Sequence, residues 1–323
     1  MHYQEHGVVQ FYDDQPLADD FYTEVIEGLK QSPRKIPPKF FYDAKGSRLF
    51  DAICELPEYY QTRTEISLLT QYAEEIASLI GEQCLLIEPG SGSCEKVRYL
   101  LDEIQPTAYM PMDISRVHLF GAVQQLSNEY PWLDIHASCM DFTANVKLHF
   151  CPPNIHKVAF FPGSSIGNFE PDDAIVFMRH IAQVLGQGGS LLIGVDLKKD
   201  EKLLHAAYND SQDVTAEFNL NLLHRINDEL NANFDLEYFQ HKALYNEQAG
   251  RIEMHLVSTV EQTVTIGEQE FTFRESETIH TENSYKYTVA EFGALAGQAG
   301  YKQKKVWRDS SDLFSLHYYE VTD

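Results

Sequence analysis

Leu85-Leu86-Ile87-Glu88-Pro89-Gly90-Ser91-Gly92-Ser93 decides how the rest of the chain is read, because a short apolar run ends there in an acid and two closely spaced glycines. The run reads as a strand feeding a tight turn. Apolar residues at Val97, Leu100, Leu101 and Ile104 predict that a helix over 94–104 follows. Strand, glycine turn and helix make the first unit of a nucleotide-binding α/β sheet.

The details of the turn choose the ligand. A dinucleotide loop wants a third glycine where this chain has Glu95, and Glu88 adds a second carboxylate beside the turn. Two acids near a helix N-terminus repel the pyrophosphate that such an end otherwise attracts. Adenosine without phosphate meets no such penalty, so S-adenosylmethionine (SAM) is the expected cofactor. About twenty residues beyond Gly92, a strand over 109–112 ends in Asp113, whose carboxylate can accept from both ribose hydroxyls. The next strand, over 133–137, runs into Ser138-Cys139-Met140-Asp141-Phe142, where Asp141 could accept from an adenine amino group. Taken singly, Asp113 and Asp141 read as turn formers or helix caps. Three acids at the ends of three successive strands around one glycine turn favour the cofactor.

Composition sets the bounds. With 323 residues, 43% of them hydrophobic and 23% charged, the chain can hold a full α/β core and a second, smaller lobe. A net charge of -24 and the lack of any Lys/Arg-rich block argue against a nucleic-acid partner. Five scattered cysteines form no CxxC pair and no zinc-type spacing, so they read as reduced thiols with no metal site. The first twenty residues carry Glu5, Asp13, Asp14, Asp19 and Asp20 and no apolar core, and no run is long enough to span a bilayer. A soluble cytoplasmic protein with no membrane partner is expected, and a monomer.

Ahead of the glycine turn, residues 1–36 read as an extended arm with a helix over 17–29. A helix over 49–56 stops before Pro57, and another spans 64–79. Beyond the third strand, a fourth over 157–161 ends in Pro162-Gly163-Ser164-Ser165-Ile166-Gly167-Asn168-Phe169. Ligands of an open α/β sheet sit outside the carboxyl ends of its strands, which puts this loop near the cofactor's reactive end. A helix over 171–185 and a strand over 190–195, ended by Asp196, continue the alternation and imply a parallel sheet with right-handed crossovers. From 198 to 287 the pattern becomes a long helical stretch and then alternating strands, an inserted α+β lobe. A helix over 289–298 and strands at 304–307 and 314–321 close the chain with a β-hairpin. The fold class is α/β, a class I SAM-methyltransferase: a Rossmann-like, mostly parallel seven-stranded sheet with a C-terminal antiparallel hairpin. Residues 64–197 and 288–323 form the SAM-binding domain, and 1–63 and 198–287 the substrate-binding lobe.

Several stretches together resemble one family of that class, the histidine-specific Nα-methyltransferases of ergothioneine biosynthesis (EgtD type). They are Lys39-Phe40-Phe41-Tyr42-Asp43, Leu56-Pro57-Glu58-Tyr59-Tyr60-Gln61-Thr62-Arg63, Gly90-Ser91-Gly92-Ser93, Gly163-Ser164-Ser165-Ile166-Gly167-Asn168, Asp196-Leu197-Lys198-Lys199-Asp200, Phe234-Asp235-Leu236, Arg251-Ile252-Glu253-Met254 and Glu282-Asn283-Ser284. The resemblance implies transfer of methyl groups from SAM to the α-amine of L-histidine, successively towards Nα,Nα,Nα-trimethylhistidine (hercynine). It places Asn168 and Tyr208 at the amino-acid end, Tyr42 near the amine, Tyr59 against the ring, Glu282 and Ser284 at the ring nitrogens, and Gly163 and Met254 along the pocket. Glu88, Gly90, Ser91, Gly92, Lys96, Asp113, Asp141 and Phe142 are then the cofactor set, and Asn168 and Tyr42 the catalytic pair. They orient a neutral amine rather than act as an indispensable base. Strand alternation independently points Glu282 and Ser284 to one side and Asn283 to the other. Other readings are a methyltransferase for another amine, such as a thiol derivative of histidine, a non-catalytic SAM-binding protein and, more weakly, a NAD-dependent oxidoreductase.

Overall fold

The computed structural model describes residues 7–14, 18–143 and 146–322, and the chain divides into two units. The first holds β1 (Val9–Asp14), α3 (Tyr60–Ile80, from Gln61 on), β3 (Cys84–Pro89), α4 (Arg98–Ile104), β4 (Ala108–Asp113), α5 (Arg116–Glu129), β5 (Ile135–Met140), β6 (His156–Phe161), α6 (Pro171–Leu185), β7 (Ser190–Asp196), α9 (Val289–Gln298), β13 (Tyr301–Arg308) and β14 (Phe314–Val321). Its sheet runs β1-β5-β4-β3-β6-β7-β14-β13. The first six strands are parallel; β14 runs antiparallel to β7, and β13 to β14. All residues of β3 and β7 are buried, which is why they read as unbroken apolar runs rather than alternating ones.

Three local expectations change. The helix after the glycine turn begins at Arg98 instead of residue 94, because Cys94 takes a left-handed φ of +53° that no helix admits. The third strand extends to Met140, held by β4 on one side and by β1 on the other. β1 is an eighth strand, paired with β5 from Val9↔Ile135 to Asp14↔Met140, so part of the arm assigned to the lobe belongs to this sheet. The pairing covers what would otherwise be the open edge of β5.

The second unit holds α1 (Ala18–Lys30), β2 (Arg34–Lys35), α2 (Ala44–Cys54), α7 (Glu201–Tyr208), α8 (Val214–Leu230), β8 (Phe239–Asn246), β9 (Arg251–Ser258), β10 (Gln262–Ile266), β11 (Gln269–Phe273) and β12 (Thr278–Tyr285). Leu17, the expected start of α1, lies outside the described residues. β2-β12-β9-β8 form a sheet with α7 and α8 against it, and β10-β11 a separate hairpin. Residues 252, 254, 256 and 258 of β9 are buried and the alternate ones half-buried, the signature of a sheet covered on one face. The long helical stretch is broken between α7 and α8. There the Asp210 carboxylate accepts the N–H groups of Gln212, Val214 and Thr215 and caps the second helix. The helix expected over 49–56 is α2, which starts earlier because Asp43 caps it through Gly46 N–H at 2.6 Å. Among the described residues no helix is long and apolar enough to cross a membrane.

Candidate functional site

In the first unit the site begins at the carboxyl ends of β3, β4 and β5. Gly90 and Gly92 have φ of +68° and +51°. A Cβ on Gly90 would come within 3.1 Å of the Phe142 ring, so glycine is needed there both for its backbone and for the close approach. Gly92 N–H donates to Asp113 Oδ2 at 2.9 Å and Ser115 N–H to Asp113 Oδ1 at 2.8 Å. Asp113 therefore ties the glycine turn to the end of β4 while retaining lone pairs, since a carboxylate offers about four acceptor positions. Burial pushes its carboxyl up, opposed by these backbone donors. Asp141 also closes a local turn, accepting Thr143 N–H at 2.9 Å. Both acids thus do what the local reading of them predicts, and they do it at the strand ends the cofactor reading requires. The buried hydroxyls of Ser91 and Ser138 lack a hydrogen-bond partner among the described residues. Buried polar groups are nearly always paired. Two orphaned hydroxyls, acceptor carboxylates and a turn with glycine at 90 and 92 suit an adenosyl group carrying no phosphate.

Glu88, at the end of β3, is buried and accepts a hydrogen bond from the Tyr109 hydroxyl. Burial pushes its carboxyl up to about 8, against the opposing pull of Tyr109 and of Lys96. The folded protein therefore keeps a proton that the unfolded chain, with an ordinary value of 4.5, releases. Stability contributed by Glu88 is present at low pH and is lost as pH rises from about 4.5 towards 8. Thermal melts of the wild type and Glu88→Gln across that window test this: the wild type should lose stability relative to the variant as pH rises. Parallel curves would count against it.

Lys96 is engaged by Glu65 of α3, Nζ to Oε2 at 2.6 Å. Glu65, wholly buried, also accepts the Gly163 N–H with both carboxylate oxygens, at 3.0 and 2.9 Å. Gly163 has a φ of +82° and precedes the 3-10 turn Ser165–Asn168, which presents Asn168 half-buried at its end. Glu65 was missed in the sequence, although an acid three and four residues ahead of Leu68 and Leu69 stands on the apolar stripe of its helix. The buried pair Asp196 and Lys286 was missed as well.

In the second unit the structure brings together Tyr42, Tyr59, Tyr208, Met254, Glu282 and Ser284. Register pairs Glu282 with Met254 and Ser284 with Ile252, which sets all four on one face of the sheet. Tyr208, at the end of α7, donates to Ser284 Oγ at 2.8 Å. The Tyr59 ring lies 6.2 Å from that of Tyr208, and Tyr42 packs edge-on against Phe218 at 5.8 Å. Asp43, which accepts from Asn221 at 2.9 Å as well as capping α2, fixes the backbone beside Tyr42. Burial first, then Tyr208, Cys54, Glu282 and Tyr42, push the Tyr59 phenol well above its usual range. Tyr59 is thus a hydrogen-bond donor throughout the physiological range. Gly163 and Asn168 belong to the first unit, and the other substrate residues to the second.

Residues 21–321 match the family described as SAM-dependent, histidine-specific methyltransferases. The chain is 39% identical over 305 residues to "Histidine N-alpha-methyltransferase" of Mycolicibacterium smegmatis, a match covering 93% of this chain and 94% of that one. It is 39% identical over 299 residues to the protein of the same name from Mycobacterium tuberculosis, covering 91% and 92%. "Ergothioneine biosynthesis protein 1" of Neurospora crassa is 33% identical over 297 residues, which are 89% of this chain and 33% of that protein.

Proposed function

The chain belongs to the family of SAM-dependent histidine-specific methyltransferases, and from that premise we propose that it methylates the α-amine of L-histidine, one methyl after another, up to the trimethylated betaine. The observation that carries the substrate is the Glu282, Ser284 and Tyr208 group. A neutral imidazole offers one N–H donor and one nitrogen acceptor. Glu282 supplies an acceptor for the first. Ser284 supplies a donor for the second, and a hydroxyl that already accepts from Tyr208 is the stronger donor for it.

SAM supplies a methyl group made electrophilic by its sulfonium. Asp113, Asp141, the Gly90–Gly92 turn, Ser91, Phe142 and the carboxyl of Glu88 are the groups that would hold it, with Lys96 at their edge. The remaining work of the chain is to present a neutral amine in line and to keep water away. An α-amine is largely protonated near neutral pH. Asn168 and Tyr42 serve as its orienting groups and Tyr59 lies against the ring, with no single side chain as an indispensable base.

Incubation with SAM and L-histidine, followed by mass spectrometry, should show histidine carrying one, two and finally three added methyl groups. Absence of methylated histidine would sink the proposal. Glu282→Gln should raise the histidine KM by about ten- to a hundredfold, the loss of a hydrogen bond to a charged group, while leaving SAM affinity unchanged. An unaltered KM would remove Glu282 from the ring.

A further inference from the structure

The register of β12 slips by one residue between His280 and Glu282, leaving Thr281 opposite no residue of β9. A bulge of this kind turns every later side chain of its strand over to the other face. Before it, Ile279 pairs with Leu256; after it, Glu282 pairs with Met254 and Ser284 with Ile252. Ile279, Leu256, Met254 and Ile252 mark the buried face. In an unbulged strand, Thr281, Asn283 and Tyr285 would take that face and Glu282 and Ser284 the opposite one. The one extra residue therefore decides which chemistry the second unit offers a substrate.

What holds the bulge is polar and buried. Thr281 Oγ1 lies 2.8 Å from Asn219 Oδ1 and 3.1 Å from Met254 O. Asn219, on α8, is wholly buried and donates through Nδ2 to His255 O at 3.1 Å and to His241 Nδ1 at 2.9 Å. His241 Nδ1 is then the acceptor of its ring and Nε2 the donor, directed at Tyr208 O at 2.9 Å. That is the neutral tautomer, and burial lowers the tendency of the ring to take up a second proton. Tyr208 closes the circuit through its own hydroxyl, on Ser284 Oγ. A single chain of hydrogen bonds thus runs from the bulge, through α8 and β8, to the tyrosine that binds the far end of the same strand.

We propose that Thr281, Asn219 and His241 are positioning residues for ring recognition, holding the bulge that aims Glu282 and Ser284 at the substrate. This rests on the assignment of Glu282 and Ser284 to the imidazole. Thr281→Val keeps the side-chain shape and removes the hydroxyl, whereas Thr281→Ser keeps the hydroxyl. The valine variant should raise the histidine KM about tenfold, the worth of one hydrogen bond, with the SAM KM and the far-UV spectrum unchanged, and the serine variant should stay close to wild type. In a Glu282→Gln background Thr281→Val should add little, because the group being aimed is already disabled. Thr281→Ala gives the same reading if the valine variant does not fold. Equal rises in both KM values, failure of serine to rescue, or full additivity with Glu282→Gln would overturn the positioning role. If Glu282→Gln itself leaves the histidine KM unchanged, the ring assignment has failed and takes the proposal with it. A rise with Glu282→Gln but none with Thr281→Val defeats the positioning role alone.

Discussion

Lys286→Met lowers the free energy of unfolding by about 3–5 kcal/mol, and the added substitution Asp196→Leu restores most of it. The Lys286 ammonium lies 2.7 Å from Asp196 Oδ2, and the two side chains are 1% and 0% exposed. Their attraction offsets a large desolvation penalty, so the pair as a whole contributes little beyond what well-packed apolar side chains would. Removing the cation alone leaves a carboxylate with the penalty and without this partner. The location raises the effect. Asp196 ends β7 and Lys286 lies where the chain returns from the second unit, next to Tyr287, whose N–H donates to Asp196 O and whose carbonyl accepts from Lys198 N–H. Urea unfolding of the single and double variants, compared by midpoint at constant m, is the measurement. A single variant that loses less than about 1 kcal/mol, the range of exposed pairs, would show that water reaches the pair.

The parts of this architecture that the sequence makes legible are those in which burial dictates residue type. β3, β6 and β7 are apolar because helices or neighbouring strands cover them, and the glycines at 90 and 92 stand where φ is positive. β1 leaves no such trace. Its six residues are exposed or half-buried, and main-chain pairing with β5 holds it, with Phe11 alone of its apolar side chains packed on the core. The bulge at Thr281 is equally silent, since His280-Thr281-Glu282-Asn283-Ser284 are all polar and no apolar residue marks the shift of phase. Period-two reasoning is sound for Glu282 and Ser284 because both lie beyond the bulge; it could not have told which face receives them. Glu65 was visible in principle as an acid on an apolar helical stripe. Its partners, a backbone N–H ninety-eight residues away and a lysine, were not.

Glu65→Ala is expected to lower kcat/KM for histidine about a hundredfold, the effect of displacing a reacting group by about 1 Å, and the loss should fall more on kcat than on SAM affinity. One carboxylate holds Gly163, whose turn leads to the Asn168 proposed to orient the amine, and Lys96, which follows the glycine turn. Without it, the Gly163 N–H and the Lys96 ammonium lose this carboxylate, and the segment carrying Asn168 loses an anchor. Gly194 of β7 supplies an independent check. A Cβ there would stand 2.0 Å from Glu65 Oε1, so Gly194→Ala in the wild type must push the carboxylate off Gly163 and should mimic the Glu65 variant. In the Glu65→Ala background that collision is gone, and the second substitution should cost much less, though not nothing, because the Phe314 ring lies 3.0 Å from the same point. Penalties that simply add across the two sites would mean that Gly194 acts through Phe314 alone and that Glu65 does not set the position of the Gly163 turn.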